Sequence, residues 1–151
     1  VRAILPELLQ DFQIIHLCGK DKVDESLRNL TGYVQYEYIQ SELKDIFALT
    51  DIVISRAGAN AICELAALRK PNLLIPLSAS ASRGDQILNA RSFERQGFSI
   101  VIEEEELSSQ KLLASIHSLY DNRDSYISAM SQSQQQNSID TIISLIEEAA
   151  N

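Results

Sequence analysis

The chain has 151 residues, 45% of them apolar and 23% charged, a composition typical of a soluble globular domain and unlike that of disordered or collagen-like chains. The net charge of −8, from 21 acidic and 13 basic residues without a Lys/Arg cluster, argues against nucleic acid as a partner. No apolar run reaches the roughly 18 to 20 residues that span a bilayer, and no signal peptide opens the chain, so we expect a cytoplasmic protein without a transmembrane segment.

The start of the sequence and the two cysteines give little evidence of a functional site. Val1 is not a methionine, and the helical stretch after it lacks a start signal, so we expect the sequence to begin inside a longer protein. Cys18 and Cys63 lie far apart and form no Cys-x-x-Cys pattern, which gives little support to a disulfide or a zinc site. We expect both thiols to be buried, as free cysteines usually are.

Strands and helices alternate along the first two thirds of the chain. Strands joined by single helices predict a parallel sheet with right-handed crossovers, covered by helices on both faces. The expected fold is therefore α/β, with a Rossmann-like three-layer parallel sheet in a single domain over residues 1–151. The predicted elements are a helix to about Leu9, strands Phe12–Cys18 and Tyr33–Ile39, helix Ser41–Leu49, strand Asp51–Ser55, helix Ala59–Leu68, strand Asn72–Pro76, helix Gln86–Gln96 and strand Phe98–Ile102.

Composition supports these boundaries. The segments DIVIS, NLLIP and SIVIE are almost continuously apolar and rich in branched side chains, as expected of strands buried on both faces. Pro71 pushes Lys70 out of the helical region and ends one helix, and Gly97 supplies a left-handed cap for another.

The last third is predicted to be helical. A helix over Ser108–Tyr120 carries an apolar stripe, and two further helical segments are expected at Asp124–Gln132 and at about 138–151, the C-terminal helix. The polar stretch Ser131–Asn137 fits a loop or the end of a polar helix. The stripe consists of Leu112, Leu113, Ile116, Leu119 and Tyr120.

The loop after strand DIVIS is the first candidate site. It lies at the carboxyl end of a parallel strand, where ligands bind in open α/β sheets, and it opens a helix. The first N–H groups of a helix lack intrahelical partners and attract anions, and glycine lets a ligand approach the backbone without meeting a Cβ. The alternative is that Gly58 merely makes the strand-to-helix turn. The loop residues are Arg56, Ala57, Gly58, Ala59 and Asn60.

Glu64 lies about one turn along this helix, four residues after Asn60. A carboxylate there shares the face of the helix end and can accept two hydrogen bonds from a ribose diol, leaving a diphosphate to the helix N-terminus. The alternative is a solvated glutamate paired with Arg69 or Lys70.

A second cluster follows strand NLLIP. The small and polar residues of Ser78–Gly84 suit a mobile cover over a ligand, and Asp85 is expected to cap the next helix through its carboxylate. Gln86 and Asn89 share one helix face, and their amides can bond to sugar hydroxyls; exposed Gln and Asn residues are common, so the pair is a weak signal.

Other polar residues are predicted to have no role in chemistry. His16 falls within a strand and is expected to be a hydrogen-bonded core residue, whereas His117 is expected to be exposed. The run Glu103–Glu106 is expected to be a solvated surface, since consecutive carboxylates point in different directions. We therefore expect no metal, no cofactor and no catalytic triad.

The motif SRAGANAICELAALRKPNLLIP, followed by DQILNAR, a strand and an acidic Leu-Ser segment, resembles the C-terminal, donor-binding half of the MurG-type UDP-N-acetylglucosamine transferases. These GT-B enzymes of peptidoglycan synthesis transfer N-acetylglucosamine to lipid-linked N-acetylmuramyl-pentapeptide with inversion at the anomeric carbon. The resemblance implies that Glu64 holds the ribose, that Asp85 and Gln86 contact the sugar, and that Ile39 meets the uracil. The implied donor-binding set is Ile39, Arg56, Gly58, Ala59, Asn60, Ala61, Glu64, Asp85, Gln86 and Asn89.

The resemblance also implies what this chain lacks. The family's glycine-rich Gly-Gly-Ser loop and its acceptor-binding N-terminal domain are not in these 151 residues, so the chain is expected to bind donor poorly and to catalyse nothing alone. The whole enzyme is expected to meet its lipid-linked acceptor at the inner face of the cell membrane as a peripheral protein. Two alternatives remain open: a stand-alone donor-binding subunit of a two-subunit lipid-linked glycosyltransferase, and half of a nucleotide-sugar epimerase.

Overall fold

The computed structural model describes residues 1–150, apart from the side chains at positions 135, 136 and 138–140. The described residues form two compact units, Val1–Leu49 and a second one that begins at Thr50. In both units helices accompany strands that pair in parallel. The predicted parallel α/β class is therefore confirmed, while the assignment of residues 1–151 to one domain stays a prediction.

The first unit is built on two parallel strands. Strand β1 (Ile14–Leu17) pairs with β2 (Tyr33–Tyr36), from Ile14 opposite Tyr33 to Leu17 opposite Tyr36. Both strands are shorter than predicted. The remaining elements are a 3₁₀ turn at Arg2–Ile4, helix α1 (Leu5–Leu8), a 3₁₀ turn at Glu25–Leu27 and helix α2 (Leu43–Leu49).

His16 lies on the half-buried side of β1. Its Nδ1 is 2.7 Å from the hydroxyl of the buried Tyr33, which confirms the predicted hydrogen bond, whereas the predicted core position is wrong because His16 is only half-buried. Burial, followed by the nearby positive charge of Arg2, lowers the pKa of His16. The imidazole is therefore neutral at physiological pH.

The second unit contains three parallel strands in the order β3 (Val53–Ser55), β4 (Asn72–Leu74) and β5 (Ser99–Val101). Helices follow each strand, as the alternating pattern predicts. They are α3 (Ala59–Ala67), α4 (Ala79–Ser82), α5 (Asp85–Arg95), α6 (Ser109–Asp121) and α7 (Arg123–Ala150), with a 3₁₀ turn at Glu104–Glu106.

Burial differs among these three strands. Every residue of the central strand β4 is 0% exposed, so this strand is covered on both faces as predicted. Strand β3, at one edge of the described sheet, is only half-buried along its length, whereas β5 at the other edge has buried residues at Ser99 and Val101. The expectation that all three strands are buried on both faces is therefore wrong for β3.

A polar network fixes the start of β4 against β5. Asn72 is fully buried, and its Nδ2 donates to the carbonyl oxygens of Lys70 (2.9 Å) and Phe98 (3.4 Å). Its Oδ1 accepts a 2.5 Å hydrogen bond from the hydroxyl of Ser99. Because each polar group has a partner, Asn72 joins the two strands without the cost of an unsatisfied buried amide.

The structure confirms the predicted ends of α3 and α5 and the predicted start of α6. Helix α3 ends before Lys70-Pro71, and Gly97 after α5 has a φ of +79°, in the left-handed region that glycine tolerates. Helix α6 begins after Ser108, whose side chain accepts a hydrogen bond from the Lys111 amide at 3.1 Å. Its buried residues are Leu112, Ile116 and Leu119, as the apolar stripe predicts.

Three expectations are wrong. The segments predicted as separate helices after Asp124 form one continuous helix, α7, because its sequence has neither glycine nor proline and its Ser/Gln stretch is compatible with a helix. Cys63 is exposed and Cys18 half-buried, since Cys63 is turned about 100° away from the buried Ile62 on α3. His117 is half-buried rather than exposed.

Candidate functional site

The turn between β3 and α3 presents an uncapped helix end. The first intrahelical hydrogen bond of α3 joins the amide of Ile62 to the carbonyl oxygen of Gly58 at 3.0 Å. The amides of Ala59, Asn60 and Ala61 precede this bond and have no carbonyl partner within the helix. Gly58 occupies the N-cap position and has no side chain to satisfy them.

Gly58 is not required by the backbone of this turn. Its φ of −65° and ψ of 144° are open to any residue, so the turn does not need a left-handed position. A Cβ placed on Gly58 would lie 3.9 Å from Nε2 of Gln86, an ordinary van der Waals distance. The geometry of the turn therefore does not explain why a glycine stands here. What the glycine does provide is open access to the first amides of α3.

The electrostatics of this end favour an anion. The first turn of α3 contains no acidic residue, so no carboxylate of the helix neutralises the positive end of the dipole. Ala59 and Asn60 are exposed, while Gly58 and Ala61 are half-buried. An incoming phosphate oxygen would thus meet N–H groups without displacing an internal anion.

Glu64 is exposed on α3, about one turn beyond Asn60. The ion pair considered as its alternative role is not formed, because the candidate partners bond elsewhere. Lys70 donates from Nζ to the carbonyl oxygen of Thr50 (2.7 Å), and Arg69 donates to the hydroxyl of Ser131 (3.4 Å). Among the described residues, no salt bridge to Glu64 is found.

Helix α5 brings Gln86 and Asn89 to the same turn. Gln86 Oε1 accepts hydrogen bonds from the amides of Ala57 (3.3 Å) and Leu77 (3.0 Å), and Asn89 Nδ2 donates to the carbonyl oxygen of Ala57 (3.2 Å). The sequence analysis predicted that both side-chain amides bond to the hydroxyls of a sugar. The structure places them beside the β3–α3 turn, where one atom of each side chain is bonded to the backbone.

The cap predicted at Asp85 is wrong, whereas the cover predicted at Ser78–Gly84 stays a prediction. Gly84, not Asp85, occupies the N-cap position of α5, and Asp85 is the first helical residue without a capping hydrogen bond. Its carboxylate lies in the first turn, where it acts on the dipole rather than as a cap. The segment Ser78–Gly84 contains helix α4, and Ser82 donates from its hydroxyl to the carbonyl oxygens of Leu77 and Ser78.

Arg56 lies beside the turn but is already engaged. Its Nη1 donates to the carbonyl oxygen of Ile75 (3.1 Å) and to Glu104 Oε1 (2.7 Å). The guanidinium thereby joins the segments that follow β3, β4 and β5. A ligand anion at Arg56 would have to share it with Glu104.

The acidic run is paired rather than merely solvated, which corrects the expectation. Glu103 pairs with Arg91 at 2.7 Å, Glu104 with Arg56, and Glu106 with Lys111 at 3.2 Å. Within residues 1–150 no group of three or more His, Cys, Asp or Glu side chains is arranged to hold a metal ion.

Ile39, predicted to meet a uracil, belongs to the first unit. It lies half-buried in the segment after β2, which ends at Tyr36 rather than at Ile39.

Two surface cavities of about 380 Å³ are lined by other residues, so neither is the predicted site. None of the helices formed by the described residues has the length and apolarity needed to cross a membrane.

Sequence reasoning missed two features of the site: the bonds of Arg56 to Ile75 and Glu104, and those of Gln86 and Asn89 to buried backbone groups. Both depend on contacts between segments far apart in the chain. The only signal in the sequence was the i, i+3 spacing of the two α5 amides, which places them on one face without naming their partners.

Comparison with known proteins identifies relatives along almost the whole chain. Residues 1–146 match the family model described as glycosyltransferase family 28 C-terminal domain. Curated proteins named UDP-N-acetylglucosamine–N-acetylmuramyl-(pentapeptide) pyrophosphoryl-undecaprenol N-acetylglucosamine transferase are 66% identical in Lachnoclostridium phytofermentans and 62% identical in Lachnospira eligens. Each alignment covers 98% of this chain and 42% of the relative. The chain therefore spans about two fifths of the length of these relatives.

Solved structures share the fold. MurG of Acinetobacter baumannii matches with a TM-score of 0.68 and 20% identity, over 98% of this chain and 46% of that one. The glycotransferase of kitacinnamycin matches with a TM-score of 0.69 and 18% identity, over 82% of this chain and 30% of that one. These matches confirm the predicted Rossmann-like fold of a GT-B half.

Proposed function

The chain belongs to the glycosyltransferase family 28 C-terminal domain family, and from that premise we propose that it is the donor-binding domain of a UDP-N-acetylglucosamine transferase of peptidoglycan synthesis. The relatives' names supply the donor and the class of acceptor. The complete protein would transfer N-acetylglucosamine to lipid-linked N-acetylmuramyl-pentapeptide with inversion at the anomeric carbon.

The observation that carries this proposal is the helix end at Gly58. Three amides lack helical partners, and the backbone of the turn does not require the glycine that precedes them. One turn further on lies an exposed carboxylate that forms no salt bridge with the residues the structure describes. A nucleoside diphosphate has the matching groups, an anionic diphosphate and a ribose diol. We assign the diphosphate to the amides of Ala59, Asn60 and Ala61, and the diol to Glu64.

The role of this half in the reaction follows from the same geometry. Negative charge grows on the departing UDP as the bond to the sugar breaks, and fixed amide dipoles stabilise that charge without reorganising. The attacking hydroxyl belongs to the acceptor and the base that deprotonates it to the rest of the protein, so no catalytic residue is assigned to residues 1–151. The proposal involves no metal and no cofactor.

The remaining assignments complete the donor site. Gln86 keeps its Nε2 group close to Gly58, which suits a hydrogen bond to the sugar. Asp85 lies beside it. We also assign Arg56 and Asn89 to the donor site, and Ile39 to the uracil, as the family resemblance implies. The complete protein would work as a peripheral protein at the inner face of the cell membrane, where the lipid-linked acceptor is available.

Glu64→Gln in the complete protein tests the ribose assignment. An amide of the same size has no charge and only one acceptor oxygen in place of two, so we expect UDP affinity to weaken by about 1.5–3 kcal/mol, the worth of hydrogen bonds to a charged group. Isothermal titration calorimetry should be run with UDP and with 2′-deoxy-UDP. Removal of the hydroxyl should weaken binding to the unmodified protein and have little effect on the variant.

The matched control is Glu147→Gln, the same change on an exposed glutamate of α7. It should leave both affinities unchanged. If removal of the 2′-hydroxyl lowered the affinity for UDP by the same factor in Glu64→Gln and in the unmodified protein, the assignment of Glu64 to the ribose would be contradicted.

A further inference from the structure

The peptide of Ala57 poses a hydrogen-bonding problem. Ala57 is 0% exposed and lies after the last residue of β3, Ser55, and before the N-cap of α3, Gly58. Neither the strand ladder nor the helix supplies partners for its N–H and C=O groups at this point. Buried backbone groups left unpaired are costly, so something else must satisfy them.

Helix α5 supplies both partners. Gln86 Oε1 accepts from the Ala57 amide at 3.3 Å, and Asn89 Nδ2 donates to the Ala57 carbonyl oxygen at 3.2 Å. The same Oε1 atom accepts from the Leu77 amide at 3.0 Å, in the segment that follows β4. Two side chains at i and i+3 therefore hold one peptide on both sides and join it to the next loop.

We infer that Gln86 and Asn89 are positioning residues that fix the β3–α3 turn and thereby aim the amides of α3. This inference rests on the proposed function, because it concerns the same helix end. It differs from a role as sugar contacts, since the atoms involved, Gln86 Oε1 and Asn89 Nδ2, bond to the backbone of the protein itself.

The two roles predict different binding behaviour. If the side chains hold the turn, their loss disturbs the amides that meet the diphosphate, and UDP loses affinity as well as UDP-N-acetylglucosamine. If they act only on the sugar, UDP-N-acetylglucosamine alone loses affinity. The affinity for UDP, which carries no sugar, therefore separates positioning from a role that is confined to sugar recognition.

The experiment uses the complete protein with Gln86→Met and Asn89→Ala, made separately because each removes different bonds to the turn. The control is Gln96→Met, the same substitution at an exposed glutamine that directly follows α5. Its Nε2 donates to the Ser92 carbonyl oxygen and not to the turn. Affinities for UDP and UDP-N-acetylglucosamine are measured by calorimetry, and amide hydrogen exchange is followed in the ligand-free protein.

We expect Gln86→Met and Asn89→Ala each to lower the affinity for UDP by roughly 5- to 100-fold, on the usual cost of an unpaired buried group, and to lower the affinity for UDP-N-acetylglucosamine by at least as much. Exchange at the Ala57 amide should be faster in Gln86→Met, and so should exchange at Leu77. The control should change neither property.

Two results would overturn the inference: loss of affinity for the nucleotide sugar alone, or unaltered exchange at Ala57 and Leu77 in Gln86→Met. The exchange arm needs no ligand. If the unmodified protein bound neither UDP nor UDP-N-acetylglucosamine, the proposed function would fail, and exchange would still decide whether these side chains hold the turn.

Discussion

The substitution Gly58→Ala separates the fold of the turn from its ligand. The added methyl group lies 3.9 Å from Gln86 Nε2 and needs no change in φ, which is −65°. Alanine is a poorer N-cap than glycine, but it also restricts the unfolded chain, which stabilises by about 0.4–1 kcal/mol. Since the two effects oppose each other, we expect the free energy of unfolding to change by less than about 1 kcal/mol.

Ligand binding should respond far more strongly. The methyl group would stand over the first amides of α3, where a diphosphate oxygen needs to approach to about 2.9 Å of the amide nitrogen. Loss of one charge-assisted hydrogen bond costs about 1.5–3 kcal/mol, which corresponds to roughly 10- to 150-fold in UDP affinity.

Calorimetry with UDP on the complete protein, together with urea denaturation, measures both quantities. Ser108→Thr is the control, because it adds a methyl group at the N-cap of α6, a helix with no proposed ligand, and keeps the capping oxygen. Unchanged UDP affinity in a folded Gly58→Ala protein would refute the reasoning from open access to the amides.

Three further predictions concern stability and charge. Asn72→Ala should lower the free energy of unfolding by about 1–3 kcal/mol in urea, more than Ser99→Ala, because it removes the hydrogen bonds to Lys70, Phe98 and Ser99 whereas Ser99→Ala removes only the last of these; equal effects would contradict this. The pKa of His16 is lowered by burial, so the unfolded chain binds more protons and stability should fall below about pH 6.5; His16→Gln should reduce that fall, and an identical pH profile would count against it. Glu104→Gln frees Arg56 from a partly exposed pair and should leave UDP affinity unchanged or raise it up to about fivefold, whereas weaker binding would mean that the pair orients Arg56.

Local sequence patterns predicted the elements because they depend on neighbours in the chain. Pro71 and Gly97 mark helix ends through their own backbone limits, and the apolar run of β4 predicted burial on both faces. The same reasoning overestimated the burial of β3, because position within a sheet is not encoded in five residues. It also divided α7, since a Ser/Gln-rich segment favours neither loop nor helix strongly.

The candidate site was predictable in its location but not in its bonding. The strand–turn–helix pattern placed Gly58 at an uncapped helix end, as the structure has it. The partners of Gln86, Asn89 and Arg56 could not be predicted, because they are backbone groups and a glutamate brought close only by the folded sheet. Asp85 was wrongly expected to be a cap because glycine competes for that position.

Backbone amide chemical shifts of the complete protein, followed during titration with UDP, test the diphosphate assignment most directly. We predict that the amides of Ala59, Asn60 and Ala61 shift downfield and saturate with the dissociation constant found by calorimetry. The amides that open α6, where Ser108 already provides a cap, should not move. Saturable UDP binding that leaves the three α3 amides unshifted would contradict the account.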